Sequence, residues 1–141
     1  MRVAKLVEDA KLPTVKHVGD AGMDFYSLED YIIDPGKFQI CRTGITIVIP
    51  SFCVGQLWAK SKSNWIVGAG IIDPNYQGEI LIKIINPTLN NIVISKGDAL
   101  AQMVFPFATV PSVEEYELEG VHISKTARGT TGGIVTELET K

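Results

Sequence analysis

Apolar positions in this chain come in short β-branched bursts, each closed by a turn. The runs GITIVIP (44–50), EILIKIIN (79–86) and NNIVIS (90–95) are the clearest. In the first, Ile45, Ile47 and Ile49 alternate with Thr46 and Val48, the period of a strand. The stretch ILIKII is almost continuously apolar and predicts a strand covered on both faces. Turn residues separate the runs at Pro13, Gly19-Asp20, Asp34-Pro35-Gly36, Pro50, Asp73-Pro74-Asn75, Asn86-Pro87, Lys96-Gly97-Asp98, Pro106 and Pro111. Short strands at this spacing predict an all-β sandwich, jelly roll or barrel. No segment holds a helical period over three turns, and SKSNWIVG (61–68) predicts no more than a turn.

Composition narrows the class. A chain of 141 residues, 45% hydrophobic and 21% charged, fits one globular domain with a sizeable core. The tail from about Ser124 departs from that pattern, being polar, rich in Gly and Thr and poor in large apolar groups. It is expected to be disordered, or ordered by something it folds over. The reading is thus a β-domain over residues 1–123 and a C-terminal arm over 124–141. A net charge of −3 supplies no basic field for nucleic acid or acidic membranes, so local groups must hold any phosphate. Cys41 and Cys53 sit among apolar residues and read as buried thiols in a reducing compartment. The N-terminus lacks the apolar core of a signal peptide, and no apolar run reaches membrane length. A cytoplasmic protein with neither a nucleic-acid nor a membrane partner is the expectation.

Several chemistries are absent from the sequence: there is no P-loop, no GxGxxG opening a helix and no HExxH. His17 and His122 have no nucleophile near them in sequence. Four local features remain. In DAGMDFYS (20–27), Asp24 opens an alternating strand and by default caps a turn. In GQLWAKSKSNW (55–65), Lys60, Ser61, Lys62 and Ser63 place two ammonium groups and two hydroxyls where phosphate oxygens could be held, although a solvated turn is the commoner reading. In GAGIIDPNYQGEI (68–80), Asp73 stands between Ile72 and a Pro-Asn turn, with Tyr76 three residues on. An Asp often opens a turn by bonding its own backbone, so this acid has a structural reading as well as a chemical one. The fourth feature pairs KGDALAQMV (96–104), with Gln102 on a strand after a hairpin turn, with Arg128 and Gly129 of the tail.

Taken in order, AGMDF…IDPGKFQICRTGI, AKS, GAGIIDPNYQGEI, KGDALAQMV and RGTTGG resemble the five motifs of the trimeric dUTPase family, the deoxyuridine triphosphate nucleotidohydrolases. The resemblance spans about Asp20 to Gly133, and its third motif is the most specific. It implies a β-clip, jelly-roll subunit in a homotrimer, with active sites at subunit interfaces and the C-terminal arm closing over a neighbouring site. The implied reaction is magnesium-assisted hydrolysis of dUTP to dUMP and pyrophosphate. That reaction limits uracil in DNA and supplies dUMP for thymidylate synthesis.

The resemblance also implies roles for particular residues. Asp73 matches the general base that polarises the attacking water. Tyr76 matches the aromatic that packs on the deoxyribose and leaves no room for a 2′-hydroxyl. Gly68, Ala69 and Gly70, with Ile72 beyond them, match a hairpin whose backbone reads uracil; glycine there keeps the approach open. Asp24 matches the acid that holds the water shell of Mg2+. Ser61, flanked by Lys60 and Lys62, and Gln102 match phosphate-binding positions, and Arg128 with Gly129 matches the γ-phosphate motif.

This chain also departs from the family pattern. Lys60 stands where the second motif usually carries Arg, supplying charge without bidentate geometry, and Lys62 replaces a Gly or Ser. The interval from Ser61 to Gly68 is short for the family's usual helix. Gly133, Ile134 and Val135 replace an expected stacking aromatic, which predicts looser nucleotide binding or an apolar substitute from Ile134. Two rival readings are a dCTP deaminase-like enzyme and a nucleotide-binding or regulatory module of the same fold. The first needs a Glu where Lys83 stands. The altered tail is what favours the second.

Overall fold

A computed structural model describes residues 1–122 of the chain. The chain divides into two compact units, Met1–Thr109 and Val110–Lys141. The first carries every strand found among the described residues: β1 (Val3–Lys5), β2 (Met23–Tyr26), β3 (Tyr31–Ile33), β4 (Phe38–Arg42), β5 (Ile45–Ile47), β6 (Gly55–Trp58), β7 (Ile66–Gly68), β8 (Ile71–Ile72), β9 (Leu81–Ile85), β10 (Ile92–Ile94) and β11 (Ala99–Val104). The described part of the second unit holds one short helix, α1 (Leu118–Val121), and a bond from the Tyr116 hydroxyl to Glu114 Oε1 at 3.3 Å.

Every strand pair among the described residues is antiparallel. Among the described residues the strands form sheets ordered β2-β11-β6-β8, β4-β9-β7, β1-β5 and β3-β10. Their inner faces meet on Phe25, Ile45, Ile80, Ile82, Ile84, Ile94, Leu100 and Met103, all fully buried. The alternation in GITIVIP holds: Ile45, Ile47 and Ile49 face the core while Val48 is exposed. Buried Asn86 ties three segments together. Its Nδ2 donates to the carbonyls of Ile33 and Asn90, each at 2.8 Å, and its Oδ1 accepts from Thr88. A buried amide with both ends satisfied fixes chain paths that apolar packing leaves free.

The turn expected at residues 34–36 forms, with Lys37 N–H donating to Asp34 O and Gly36 at φ 73°. Pro before a left-handed Gly is the type II arrangement. Ser61–Gly68 begins with the expected turn, Ser63 N–H bonding Lys60 O at 2.9 Å, but its end, Ile66–Gly68, forms strand β7, which the turn reading did not include.

Two further expectations change. The turns at 68–70 and 96–98 are not hairpins between paired strands: β7 pairs with β9 while β8 pairs with β6, and β10 pairs with β3 while β11 pairs with β2 and β6. Each turn carries the chain from one sheet to another, a choice of partner that local turn chemistry does not encode. Strand β9 also differs from its reading as a strand covered on both sides. Ile82 and Ile84 are buried, but Leu81 is 44% exposed and Lys83 and Ile85 are half-buried. On that outer face Phe38 and Ile66 flank Ile85, and Ile40 lies beside Lys83. Within one chain this apolar face stays open.

Candidate functional site

Strand register gathers the first group of site residues. Gln102 on β11 lies between Asp24 on β2 and Trp58 on β6. A register shift between Ala99 and Ala101 sets this row. Without the extra residue, Ala101 would fall opposite Asp24, so the bulge aims the amide at the acid. Asp24 is only 6% exposed, and its Oδ1 accepts a hydrogen bond from Lys60 Nζ at 2.6 Å. A carboxylate at that depth needs a compensating charge. Its backbone is fixed as well, through Asp24 N–H to Thr14 O at 2.7 Å. Gln102 Nε2 donates to Ala59 O at 3.4 Å, and a Cβ on Gly22 would lie 2.7 Å from Gln102 Oε1. Gly22 is therefore what lets the amide lie against the first motif. Ser61 and Lys62 follow Lys60 in the same turn, both exposed.

The second group sits elsewhere. Gly70 O accepts from Leu57 N–H at 2.7 Å, and a Cβ on Gly70 would lie 2.6 Å from Leu57 O. Only glycine permits that approach to β6. Exposed Ala69 takes φ 54°, a left-handed conformation that costs energy outside glycine. Beyond β8 the Asp73 turn closes through Tyr76 N–H to Asp73 O at 3.1 Å, and Asp73 is exposed. The turn reading and the site reading therefore coexist in one residue. Tyr76 donates its hydroxyl to Glu79 O at 2.6 Å, and a Cβ on Gly78 would lie 2.5 Å from that hydroxyl. The ring borders a cavity of about 430 Å³, lined by Arg2, Thr46, Val48, Pro74 and Gln77 among others.

The chain does not bring Asp73 and Tyr76 to the Asp24–Lys60–Gln102 group. Ile72 faces Gly55 at one end of β6, whereas Gln102 faces Trp58 at the other. Strand geometry puts the two groups on the order of 15 Å apart, across two strands and along β6. Arg128, Gly129 and the proposed arm at 124–141 lie outside the described residues.

Sequence reasoning missed the Lys60–Asp24 bond and the anchoring of Tyr76 on Glu79. It also missed a guanidinium fork, Arg42 Nε and Nη2 on the two oxygens of Glu79 at 3.1 and 2.9 Å. Glu79, through these hydrogen bonds, holds the Arg42 guanidinium above its ordinary pKa. The partners stand 37 positions apart, with no local signal; Gly78 was the one available hint to the Tyr76 contact. Both cysteines are buried and free, and burial pushes the Cys41 thiol up to about 12. No helix among the described residues is long and apolar enough to cross a membrane.

Asp24, Lys60 and Gln102 thus form a polar cluster at the edge of an otherwise apolar β framework. The sequence matches the dUTPase family profile over residues 8–133. A deoxyuridine 5'-triphosphate nucleotidohydrolase of Clostridium tetani (strain Massachusetts / E88) is 38% identical, covering 94% of this chain and 92% of its own. A protein of the same name from Cowpox virus (strain GRI-90 / Grishak) is 33% identical, covering 94% and 89%. Among solved structures, a G164S mutant of the Staphylococcus bacteriophage 80alpha dUTPase with dUpNHpp superposes with a TM-score of 0.80 at 25% identity, covering 92% of this chain and 94% of that one. A dUTPase mutant from phage phi11 of S. aureus, described for its coordination of a structural Mg(II) ion, gives 0.76 at 26% identity, covering 82% and 95%. The chain belongs to the dUTPase family, and its fold is the β-clip, jelly-roll type expected from the motifs.

Proposed function

We propose that the protein is a dUTP diphosphatase that works as a homotrimer, yielding dUMP and pyrophosphate. The observation that carries this reading is the Asp24–Gln102 row with Lys60 on the acid, formed in a chain of this family. Asp73 takes a proton from a water that attacks the α-phosphorus in line. The bond from that phosphorus to the bridging oxygen breaks, and pyrophosphate leaves. Tyr76 forms a wall against the deoxyribose. The backbone of Gly68, Ala69 and Gly70, beside Ile72, meets the uracil edge. Lys60, Ser61, Lys62 and Gln102 hold phosphate oxygens, joined by Arg128 and Gly129 from an arm spanning 124–141. The same activity would limit uracil in DNA and supply dUMP for thymidylate synthesis.

The described residues contain no group of three or more metal-ligating side chains, which argues against an all-protein cage. A single buried carboxylate suits magnesium, which keeps its waters and takes other ligands from substrate phosphates. Asp24 is the residue that would hold that water shell, and the ion supplies charge neutralisation when bound.

Two observations support assembly. The Asp73–Tyr76 turn and the Asp24–Gln102 row sit at opposite ends of β6, an arrangement that fits a site shared between two copies. The outer face of β4-β9-β7, with Phe38, Ile40, Ile66 and Leu81 exposed, offers apolar surface for a second copy.

Pyrophosphate release from dUTP, dCTP, dTTP and UTP, with and without magnesium, tests the reaction. Release from dUTP ahead of the others supports the reading; no release from dUTP, or equal release from dCTP, overturns it. Sedimentation of the active species tests the assembly, which a fully active monomer would refute.

A further inference from the structure

Arg42 lies at the end of β4, outside every motif position assigned a role above, yet it is wired to the sugar wall. Its Nε and Nη2 bind both oxygens of Glu79, and its Nη1 reaches Glu29 Oε1 at 3.5 Å. Tyr31 completes the frame, its hydroxyl donating to Glu29 Oε2 at 3.0 Å and accepting from Arg42 N–H at 2.9 Å. The Glu79 side chain is only 14% exposed, and the fork supplies both of its carboxylate oxygens with hydrogen bonds and an opposite charge. The same residue's carbonyl accepts the Tyr76 hydroxyl. Side chain and main chain of Glu79 thus link Arg42 to the ring. Gly78 leaves the space the hydroxyl occupies, and the bond to the Glu79 carbonyl is what tethers the ring.

We propose that Arg42 is a positioning residue for sugar selectivity: through Glu79 it holds Tyr76 where the ring discriminates deoxyribose from ribose. This rests on the reading of Tyr76 as the sugar wall in a dUTP diphosphatase. Removing the guanidinium leaves a mostly buried carboxylate unpaired. The segment must shift to solvate it, and the carbonyl that holds the phenol shifts too. Lysine restores the charge but not the two-point fork.

The test compares kcat/KM for dUTP and UTP in the full chain and in Arg42→Met, Arg42→Lys and the double variant Arg42→Met/Glu79→Gln. The dUTP-to-UTP ratio is expected to fall roughly tenfold in Arg42→Met, and less in Arg42→Lys. In the double variant it recovers in part, because no buried charge remains while the Glu79 carbonyl stays. Ile92→Val, a core change opposite Ile33 that touches no member of the frame by register, lowers the melting temperature without moving the ratio. If the parent chain hydrolyses dUTP and the ratio is unchanged in every Arg42 variant that folds, Arg42 is a structural brace and the proposal is overturned. Should Arg42→Met fail to fold, the ratio in Arg42→Lys and the double variant decides alone. A parent chain inactive on dUTP refutes the functional reading instead.

Discussion

Lys60 Nζ lies 2.6 Å from Asp24 Oδ1, an ion pair that joins the turn after β6 to strand β2. Breaking a fully buried pair costs about 3–5 kcal/mol. The Lys60 side chain keeps 28% of its exposure, so screening reduces that cost. Lys60→Met is expected to lose about 1–2 kcal/mol in urea unfolding, and Lys60→Arg much less. A Lys60→Met midpoint equal to the parent's would show that the pair contributes nothing.

Asp73→Asn keeps the size of the side chain and removes the proposed base. Turnover of dUTP should fall by about 10²–10⁴, with nucleotide affinity retained in a fluorescence titration. A variant near the full rate would remove Asp73 from the mechanism.

On the proposed homotrimer, with each site shared between two copies, the two groups are genetically separable. Asp73→Asn and Asp24→Asn chains, each inactive alone, should regain activity when co-refolded at equal amounts. Random trimers place an intact residue of each kind in about a quarter of sites. No recovery from folded, assembled mixtures would mean that each chain builds its site alone.

Gly70→Ala drives a methyl group to within 2.6 Å of the Leu57 carbonyl unless the backbone moves. The contact is with main chain, which cannot swing away as a flexible side chain would. A loss of about 1–3 kcal/mol is expected from thermal unfolding, together with weaker nucleotide binding. Unchanged stability would mean that the β6–β8 edge is soft.

Cys41 gives a pH prediction of definite sign. Its folded pKa is raised from 9.0 to about 12 by burial, so the native chain keeps a proton that the unfolded chain releases. The stability from this site is complete below pH 9 and declines as pH rises toward 12. Between about pH 8 and pH 10.5 the parent's urea midpoint should fall further than that of Cys41→Ala. Parallel declines would refute the assignment. The native thiol should also resist alkylating reagents until the chain unfolds.

Strand existence and motif chemistry were legible because both are local. The alternation of Ile45, Ile47 and Ile49 reports a core face, and Asp34-Pro35-Gly36 reports its own turn. Partner choice was not legible. Nothing in Gly68–Gly70 or Lys96–Asp98 says that the strand ahead joins a different sheet from the strand behind. ILIKII was misjudged for a related reason: apolar character says that a face will be covered, not that this chain covers it. In the site, Asp24, Lys60 and Gln102 were each visible as types, whereas their meeting depends on one extra residue near Leu100. The Arg42–Glu79 fork joins charges on distant segments, and periodicity carries no trace of it.

The spacing along β6 has a consequence for how supply of the catalyst becomes activity. On the proposed reading a newly made polypeptide is silent, and output begins when copies meet. Below the association threshold, turnover per molecule therefore drops steeply with dilution, and lesions on the contact faces register as lost chemistry even though every reacting group is intact.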